Sequence, residues 1–86
     1  MANRSTPAPH PDLSRLTSRE AHILEMVARG LTNAQIASHL QVSVHAVKFH
    51  LASVYRKLGV ANRTEAAGTF FRSALAIGVE PGSAGS

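Results

Sequence analysis

Residues 31–58 read LTNAQIASHLQVSVHAVKFHLASVYRKL, a stretch that predicts two helices joined by a short turn. Thr32 can cap a helix over 33–40, because a hydroxyl at this place accepts an otherwise unpaired backbone N–H. Ser43 can cap a second helix over 44–58 in the same way. The apolar residues of the second helix, spaced three or four apart so that one face is buried, are Val44, Val47, Leu51, Val54 and Leu58. The pattern predicts a helix-turn-helix unit, and the spacing alone leaves open a generic bundle of three or four helices.

Capping signals outside this stretch predict two more helices. Thr17 and Glu20 form a capping-box pattern, in which the hydroxyl and the carboxylate each accept a backbone N–H at the start of a helix. A helix over 18–29 follows, and Gly30 can end it in a left-handed conformation. A similar capping pattern opens a fourth helix over 63–76. The predicted fold class is all-α, with four helices.

The two ends of the chain differ in composition from its middle. Residues 1–15 contain three prolines and no apolar period, which is typical of a flexible tail or linker. Residues 78–86 are rich in glycine and serine and predict a second flexible tail. The predicted domain therefore spans 16–77, and a chain of 86 residues has room for one core only.

Composition excludes several classes of protein. The chain has no cysteine, so it can form neither disulfides nor thiolate metal sites. No apolar run approaches the roughly 20 residues that a membrane span needs, and the N-terminus lacks the apolar segment of a signal peptide. We therefore expect a cytoplasmic protein with no membrane partner.

The five histidines do not form a metal-binding or catalytic pattern. His45 and His50 are five positions apart, whereas two ligands on one helical face would be three or four apart. The sequence also has no pattern that is typical of a catalytic nucleophile. We expect no metal, no cofactor and no catalytic residue, and hence not an enzyme.

Positive charge is concentrated in the middle of the chain. The formal net charge is +4, and no acidic residue occurs between Glu25 and Glu65. The cations inside that interval are Arg29, Lys48, Arg56, Lys57 and Arg63. A polyanion such as double-stranded DNA would meet no repelling carboxylate along this segment. The alternative is that this acid-free interval arises by chance, because the chain has only five acidic residues.

The free face of the third helix has the chemistry of a DNA-reading surface. Lys48 can donate to a guanine edge or to a phosphate, Phe49 offers an apolar surface to a thymine methyl group, and Ala52 permits close approach. We expect base contacts from Lys48, Phe49, Ala52 and His45. We expect phosphate contacts from Thr32, Asn33, Ser43, Arg56 and Lys57. The alternatives are a solvated face, intramolecular packing of Phe49, and basic residues that complement the dipole of the helix.

The fourth helix has two apolar stripes, and one small core needs only one. A spare apolar face favours a partner, and the simplest partner is a second copy of the chain. The residues that we expect in such a dimer interface are Ala66, Phe70, Phe71 and Ala74. In a two-fold dimer, the third helices of the two copies would lie about 34 Å apart on DNA. The alternative is that the domain itself covers both stripes.

Four motifs, taken together and in order, resemble the LuxR/GerE-type DNA-binding domain. They are L-T-x-R-E at 16–20, G-L-T-N-x-x-I-A at 30–37, V-K-x-H at 47–50 and Y-R-K-L-G-V-x-N-R-T-E-A at 55–66. The resemblance implies bacterial transcription regulation, with the third helix in the major groove and the fourth in a dimer interface. By position it places Lys48, Phe49 and Ala52 at bases, and it places phosphate contacts at Thr32, Asn33, Ser43, Lys48 and Arg56. Ala46 departs from the family, which usually has threonine there.

The expected function is that of a sequence-specific regulator that binds double-stranded DNA. The chain would be either a stand-alone regulator or the output domain of a longer protein such as a response regulator, with no small-molecule ligand in this part. One alternative is a helix-turn-helix module that acts mainly through protein contacts, as a sigma-like domain or an adaptor for RNA polymerase. Another is a dimerisation module with no role on DNA.

Overall fold

The computed structural model describes residues 13–76. Within them a 3-10 turn at Leu13–Arg15 precedes four α-helices, which are α1 (Ser18–Ala28), α2 (Asn33–Leu40), α3 (Val44–Leu58) and α4 (Arg63–Ala76). The described part contains no strand, which confirms the all-α prediction. The expected helix bounds differ at one residue, because Arg29 is the C-cap of α1 rather than its last helical residue.

Side chains and left-handed residues define the helix ends. The Thr17 hydroxyl accepts the N–H of Glu20 while the Glu20 carboxylate accepts the N–H of Thr17, so the predicted capping box is present. A second box, which the sequence analysis did not identify, joins Thr32 and Gln35 at the start of α2. Gln41 ends α2 with a φ of 59°, a conformation that costs an L-residue energy and turns the chain sharply into α3.

Two groups of buried side chains hold the helices together, and α1 contributes to both. The first consists of Ile23, Met26, Val27, Ile36, Ala37, Val47 and Leu51, from α1, α2 and α3. The second consists of Leu24, Val54 and Ala66, with Leu13, Leu16, Tyr55, Leu58, Val60 and Phe70 packed around it. Helix α1 lies against the three other helices. The buried residues of α3 all lie on one face of that helix, and its opposite face is in solvent.

The ends of the expected domain need separate mention. Residues 1–12 and 77–86, which include most of both expected tails, lie outside the described residues. The last three residues of the expected N-terminal tail form the turn Leu13–Arg15, in which Leu13 packs against the second core group.

Val44 also differs from expectation, since it is 39% exposed rather than buried with the rest of its stripe. It occupies the first turn of α3, beyond the edge of the core.

Candidate nucleic-acid interface

The solvent-facing side of α3, here called the outer face, consists of His45, Lys48, Phe49, Ala52 and Arg56, all of them exposed. The Phe49 ring is 73% exposed, although aromatic side chains normally bury much of their surface. Within residues 13–76, the side chains of Lys48 and Arg56 make no hydrogen bond and no ion pair. The structure therefore brings together all four expected base-contacting residues, with Arg56 beside them. The side chains of Lys48 and Arg56 have no partner within residues 13–76.

Phe49 has one aromatic neighbour on its own helix. Its ring lies edge-to-face with that of His50, with the ring centroids 6.0 Å apart and the planes at 71°. His50 is half-buried. The contact leaves most of the surface of the Phe49 ring in water.

The starts of α2 and α3 present hydroxyl groups and backbone N–H groups. The Thr32 Oγ1 atom accepts the N–H of Gln35 at 3.1 Å, and the Ser43 Oγ atom accepts the N–H of Ala46 at 3.0 Å. Each hydroxyl keeps its own proton, which can be donated to a further acceptor. The first N–H groups of a helix have no carbonyl partner inside it, so both helix starts can also donate to an anion.

Arg63, the first residue of α4, fixes the start of α2. One terminal nitrogen of its guanidinium donates to Asn33 Oδ1 at 2.7 Å, and the other donates to the carbonyl oxygen of Leu31. The fork therefore holds the residues on either side of the Thr32 cap. Since Asn33 Oδ1 already accepts from Arg63, the group that Asn33 can still offer is its NH₂ donor. This role of Arg63 could not be predicted from the sequence, because nothing local links residues 30 positions apart.

Lys57 faces the interior of the domain rather than the outer face. Its Nζ atom lies 2.8 Å from Oε1 of Glu20, a carboxylate that is almost completely buried. Glu20 also accepts the Thr17 N–H at 2.9 Å and the Ser53 hydroxyl at 2.7 Å. The Lys57 ammonium, and after it the Thr17 N–H, hold the pKa of Glu20 at about 2 against an ordinary 4.5, in spite of the opposing effect of burial.

This junction of α1 and α3 changes the interpretation of two residues. The sequence predicts Glu20 as a helix cap only and Lys57 as a phosphate contact. In the structure the Lys57 ammonium is occupied by Glu20, and 28% of its side chain is exposed. A cation that already has a carboxylate partner attracts a phosphate much less than a free one does.

The expected dimer residues of α4 do not form one exposed surface. Ala66 is fully buried in the second core group, so it has no surface to offer a partner. Phe70 packs against the same core group and is half-buried. Phe71 and Ala74 are half-buried and Leu75 is 57% exposed, which leaves these three as the apolar patch of α4.

Residues 13–76 contain no group of three or more histidine, cysteine, aspartate or glutamate residues that could hold a metal ion. None of the helices between residues 13 and 76 is long and apolar enough to cross a membrane.

Comparison with known proteins gives consistent matches. At the level of curated sequences, the chain is 47% identical over 57 residues to the probable transcriptional regulatory protein SgaR of Hyphomicrobium methylovorum. It is 48% identical over 56 residues to the putative HTH-type transcriptional regulator YhjB of Escherichia coli, and 52% identical over 54 residues to the transcriptional activator protein RaiR of Rhizobium etli. The matches cover 66%, 65% and 63% of this chain but 27%, 28% and 22% of the relatives. The chain thus spans about a quarter of the length of these relatives.

Two solved structures share the fold. One is a chain in the crystal structure of the anti-activator RapF complexed with the DNA-binding domain of the response regulator ComA. It matches with a TM-score of 0.61 and 42% identity, over 63% of this chain and 93% of that chain. The other is the response regulator ChrA of a heme-sensing two-component system, with a TM-score of 0.66 and 39% identity, over 84% of this chain and 33% of that one.

The sequence profile described as "Bacterial regulatory proteins, luxR family" matches residues 14–70, which is more than half of the chain. The family and the named relatives are regulators of transcription, so the chain is a regulatory domain and not an enzyme. The helix-turn-helix of α2 and α3, the four-helix fold and this match agree: the chain belongs to the luxR family of bacterial regulatory proteins.

Proposed function

We propose that this chain binds double-stranded DNA in a sequence-specific way and serves as the DNA-binding domain of a transcription regulator. The observation that carries the proposal is the outer face of α3, an exposed helical surface with one exposed aromatic ring, no acidic residue and two cations whose side chains have no partner within residues 13–76. A helix with such a surface fits the major groove of B-DNA, which is about 12 Å wide. The solved ComA relative is itself described as a DNA-binding domain.

The contacts divide into two groups by chemistry. The outer face would meet the base edges, with Lys48 as the donor, Phe49 and Ala52 as apolar surface and His45 at the start of the helix. Arg56, which lies about one helical turn beyond Ala52 and about two beyond Lys48, would reach the phosphate backbone. The starts of α2 and α3 would give further phosphate contacts from Thr32, Asn33 and Ser43, whose hydroxyl and amide donors are exposed or half-exposed.

We further propose that the chain pairs with a second copy through the apolar patch Phe71, Ala74 and Leu75. The patch is smaller than the sequence predicted, because Ala66 and part of Phe70 belong to the core of the monomer. A patch of three side chains suits a weak dimer that forms on DNA, where two half-sites hold the two copies close together.

A second candidate function is regulation through a protein partner. The matched ComA domain was solved in complex with the anti-activator RapF, so a relative of this domain is bound by a protein. A protein that covered the outer face of α3 would compete with DNA. A contact with RNA polymerase would belong to the same class of function. The whole regulator would be either this domain alone or, since the match covers only 27% and 28% of two of the relatives, a longer protein of which it is the output domain.

The experiment that tests the proposal is a titration of a fluorescent mixed-sequence duplex at several salt concentrations, followed by anisotropy. Each phosphate that a cation neutralises contributes roughly −0.9 to the slope of log K against log salt, and we expect a slope steeper than about −3. Lys48→Ala should weaken binding by roughly 1–3 kcal/mol with unchanged circular dichroism. Arg19→Ala, which removes an exposed cation from α1, is the matched control. Absence of duplex binding even at low salt would overturn the proposal.

The dimer is tested separately by sedimentation with and without a duplex that carries two half-sites. Phe71→Glu should lower the stoichiometry on such a duplex from two chains to one, because a charge in an apolar contact is costly. If the wild type and Phe71→Glu bind this duplex with equal stoichiometry, the apolar patch is not part of the dimer interface.

A further inference from the structure

We propose that His22 and His39 together bind a divalent transition-metal ion of the class that prefers imidazole ligands, namely Cu²⁺, Zn²⁺ or Ni²⁺. The ion would join α1 to α2, on a part of the surface that does not include the outer face of α3. The proposal goes beyond the proposed function and does not depend on it, because neither histidine is among the expected DNA contacts.

The packing of α2 on α1 brings these two histidines together. His22 belongs to the second turn of α1, and His39 belongs to the last turn of α2. Their rings lie edge-to-face, with the ring centroids 6.2 Å apart and the planes at 83°. The spacing of histidines within one helix cannot reveal such a pair, because its members lie on two helices.

Both imidazoles are available to a ligand. The two residues are exposed, and within residues 13–76 neither side chain makes a hydrogen bond or an ion pair. Two imidazoles that bind one ion at the usual Zn–N distance of about 2.0–2.1 Å have ring centroids about 5–6 Å apart. The observed separation is slightly larger than this, and exposed side chains rotate readily enough to close the difference.

The surroundings of the pair do not repel a cation strongly. The two rings border a cavity of about 350 Å³, whose lining residues are His22, Glu25, Met26, Arg29, Leu31 and His39. Arg29 brings a positive charge to this cavity, but its guanidinium pairs with the Glu25 carboxylate at 2.7 Å. Because these two charges offset each other, the histidines decide which ligand the cavity prefers.

The chemistry of the two ligands selects the metal. Imidazole nitrogen suits zinc, copper and nickel, whereas Mg²⁺ and Ca²⁺ prefer oxygen ligands. Affinity for nitrogen ligands is highest for Cu²⁺ among these ions. Residues 13–76 contain no group of three or more potential ligand residues, so water would complete the coordination and the ion would exchange readily.

An ion held by both histidines would fix the end of α2 against α1. His39 lies two residues before Gln41, the left-handed residue at which the chain turns into α3. The two imidazoles are held close together only in the folded domain. The ion should therefore bind the folded domain more tightly than the unfolded chain, and it should stabilise the domain by mass action.

The test is thermal unfolding of the 86-residue chain with and without metal, followed by circular dichroism. With Cu²⁺ at about five times its Kd we expect Tm to rise by roughly 4–8 °C. Zn²⁺ and Ni²⁺ at the same concentration should raise Tm by less, and Mg²⁺ should not raise it. His22→Gln and His39→Gln should each lose most of the rise, because one imidazole remains. His45→Gln, which removes an exposed histidine of α3, is the matched control and should keep the rise.

Both ligands are exposed, so the glutamine variants are expected to fold, and their unfolding without metal checks this. A second measurement locates the ion directly, because paramagnetic Cu²⁺ broadens the NMR signals of nearby nuclei. The signals of His22 and His39 should lose intensity first. The proposal is overturned if none of the three transition-metal ions raises the Tm of the wild type, or if either glutamine variant keeps the full rise. Broadening that begins at other residues would likewise overturn it. Duplex binding is not measured here, so each of these results leaves the proposed function as it stands.

Discussion

Four of the five cations in the acid-free interval of this domain fall into two pairs that the sequence does not distinguish. Lys48 and Arg56 lie on the outer face of α3 and have no partner within residues 13–76. Lys57 and Arg63 lie at junctions between helices, where Lys57 binds Glu20 of α1 and Arg63 binds the start of α2. All four belong to the same acid-free interval of the chain. The difference teaches that a count of positive charges overstates the charge that is available to DNA.

Helix geometry explains how neighbours come to differ. Arg56 and Lys57 are adjacent in sequence, but successive residues of an α-helix point about 100° apart around its axis. That rotation takes Arg56 to solvent and turns Lys57 toward α1, where Glu20 stands in the first turn. A buried carboxylate needs a partner, and Lys57 is the cation within reach.

Among the variants that test this difference between the two pairs of cations, Glu20→Gln is expected to have the largest effect. Glutamine can keep the capping bond to Thr17, because both residues accept a backbone N–H at this position of a capping box. It loses the ion pair with Lys57 and the second oxygen that accepts the Ser53 hydroxyl. We expect the free energy of unfolding to fall by about 2 kcal/mol, less than for a fully buried pair because Lys57 is partly in water. Urea unfolding measures it, and a loss below about 0.5 kcal/mol would contradict the structural role of the junction.

The same variant gives a dependence on pH whose sign is fixed. Since the pKa of Glu20 is lowered from 4.5 to about 2 by folding, its stabilising contribution is complete above about 4.5 and is lost as the pH falls toward 2. The gap between wild type and Glu20→Gln should therefore close over that interval. Glu25→Gln is the control, because Glu25 pairs with Arg29 on the surface and should change stability by less than about 0.5 kcal/mol.

A somewhat smaller effect is expected from Arg63→Gln, at the other junction. The variant loses the fork that joins α4 to Leu31 and Asn33, and we expect a loss of about 1.5 kcal/mol in the free energy of unfolding. DNA binding should weaken about threefold in addition, because Asn33 is no longer held in place. Arg72→Gln removes the same charge from within α4, where Arg72 reaches only Thr69, and serves as the matched control. Equal effects of the two variants would show that the junction has no special role.

The smallest effect, and the sharpest for the comparison, concerns the adjacent pair of cations. Arg56→Ala should weaken duplex binding by about 1 kcal/mol and reduce the salt slope by roughly 0.9, the contribution of one phosphate. Lys57→Ala should leave that slope unchanged and lower the stability of the domain instead. Parallel anisotropy titrations of the two variants measure both. A slope that falls equally in both would return Lys57 to the set of phosphate contacts.

The sequence predicted what local chemistry determines. The bounds of α2, α3 and α4 follow from caps such as Thr32 and Ser43 and from Gly59, whose left-handed conformation ends α3, and these signals lie within a few residues of the helix ends. The composition of the outer face followed from the spacing of apolar residues in α3, because one buried stripe fixes what the opposite side must carry.

What could not be predicted depends on contacts between distant residues. Lys57 and Glu20 are 37 positions apart, and only the packing of α3 on α1 brings them together. Ala66 resembled its neighbours in the apolar stripes of α4, and its burial depends on how α4 lies against α1 and α3. Periodicity identifies an apolar face but does not say whether the same chain or another one covers it.

The two junctions and the capped helix starts also bear on the thermodynamics of recognition. Because α2 is held by Arg63 and α3 by Glu20, the arrangement of the two helices exists before any DNA is bound. A surface formed in advance loses little conformational entropy on association, so most of the contact energy remains as affinity. The heat capacity change on binding should then reflect only the area that the groove covers, without the larger contribution of a segment that folds as it binds.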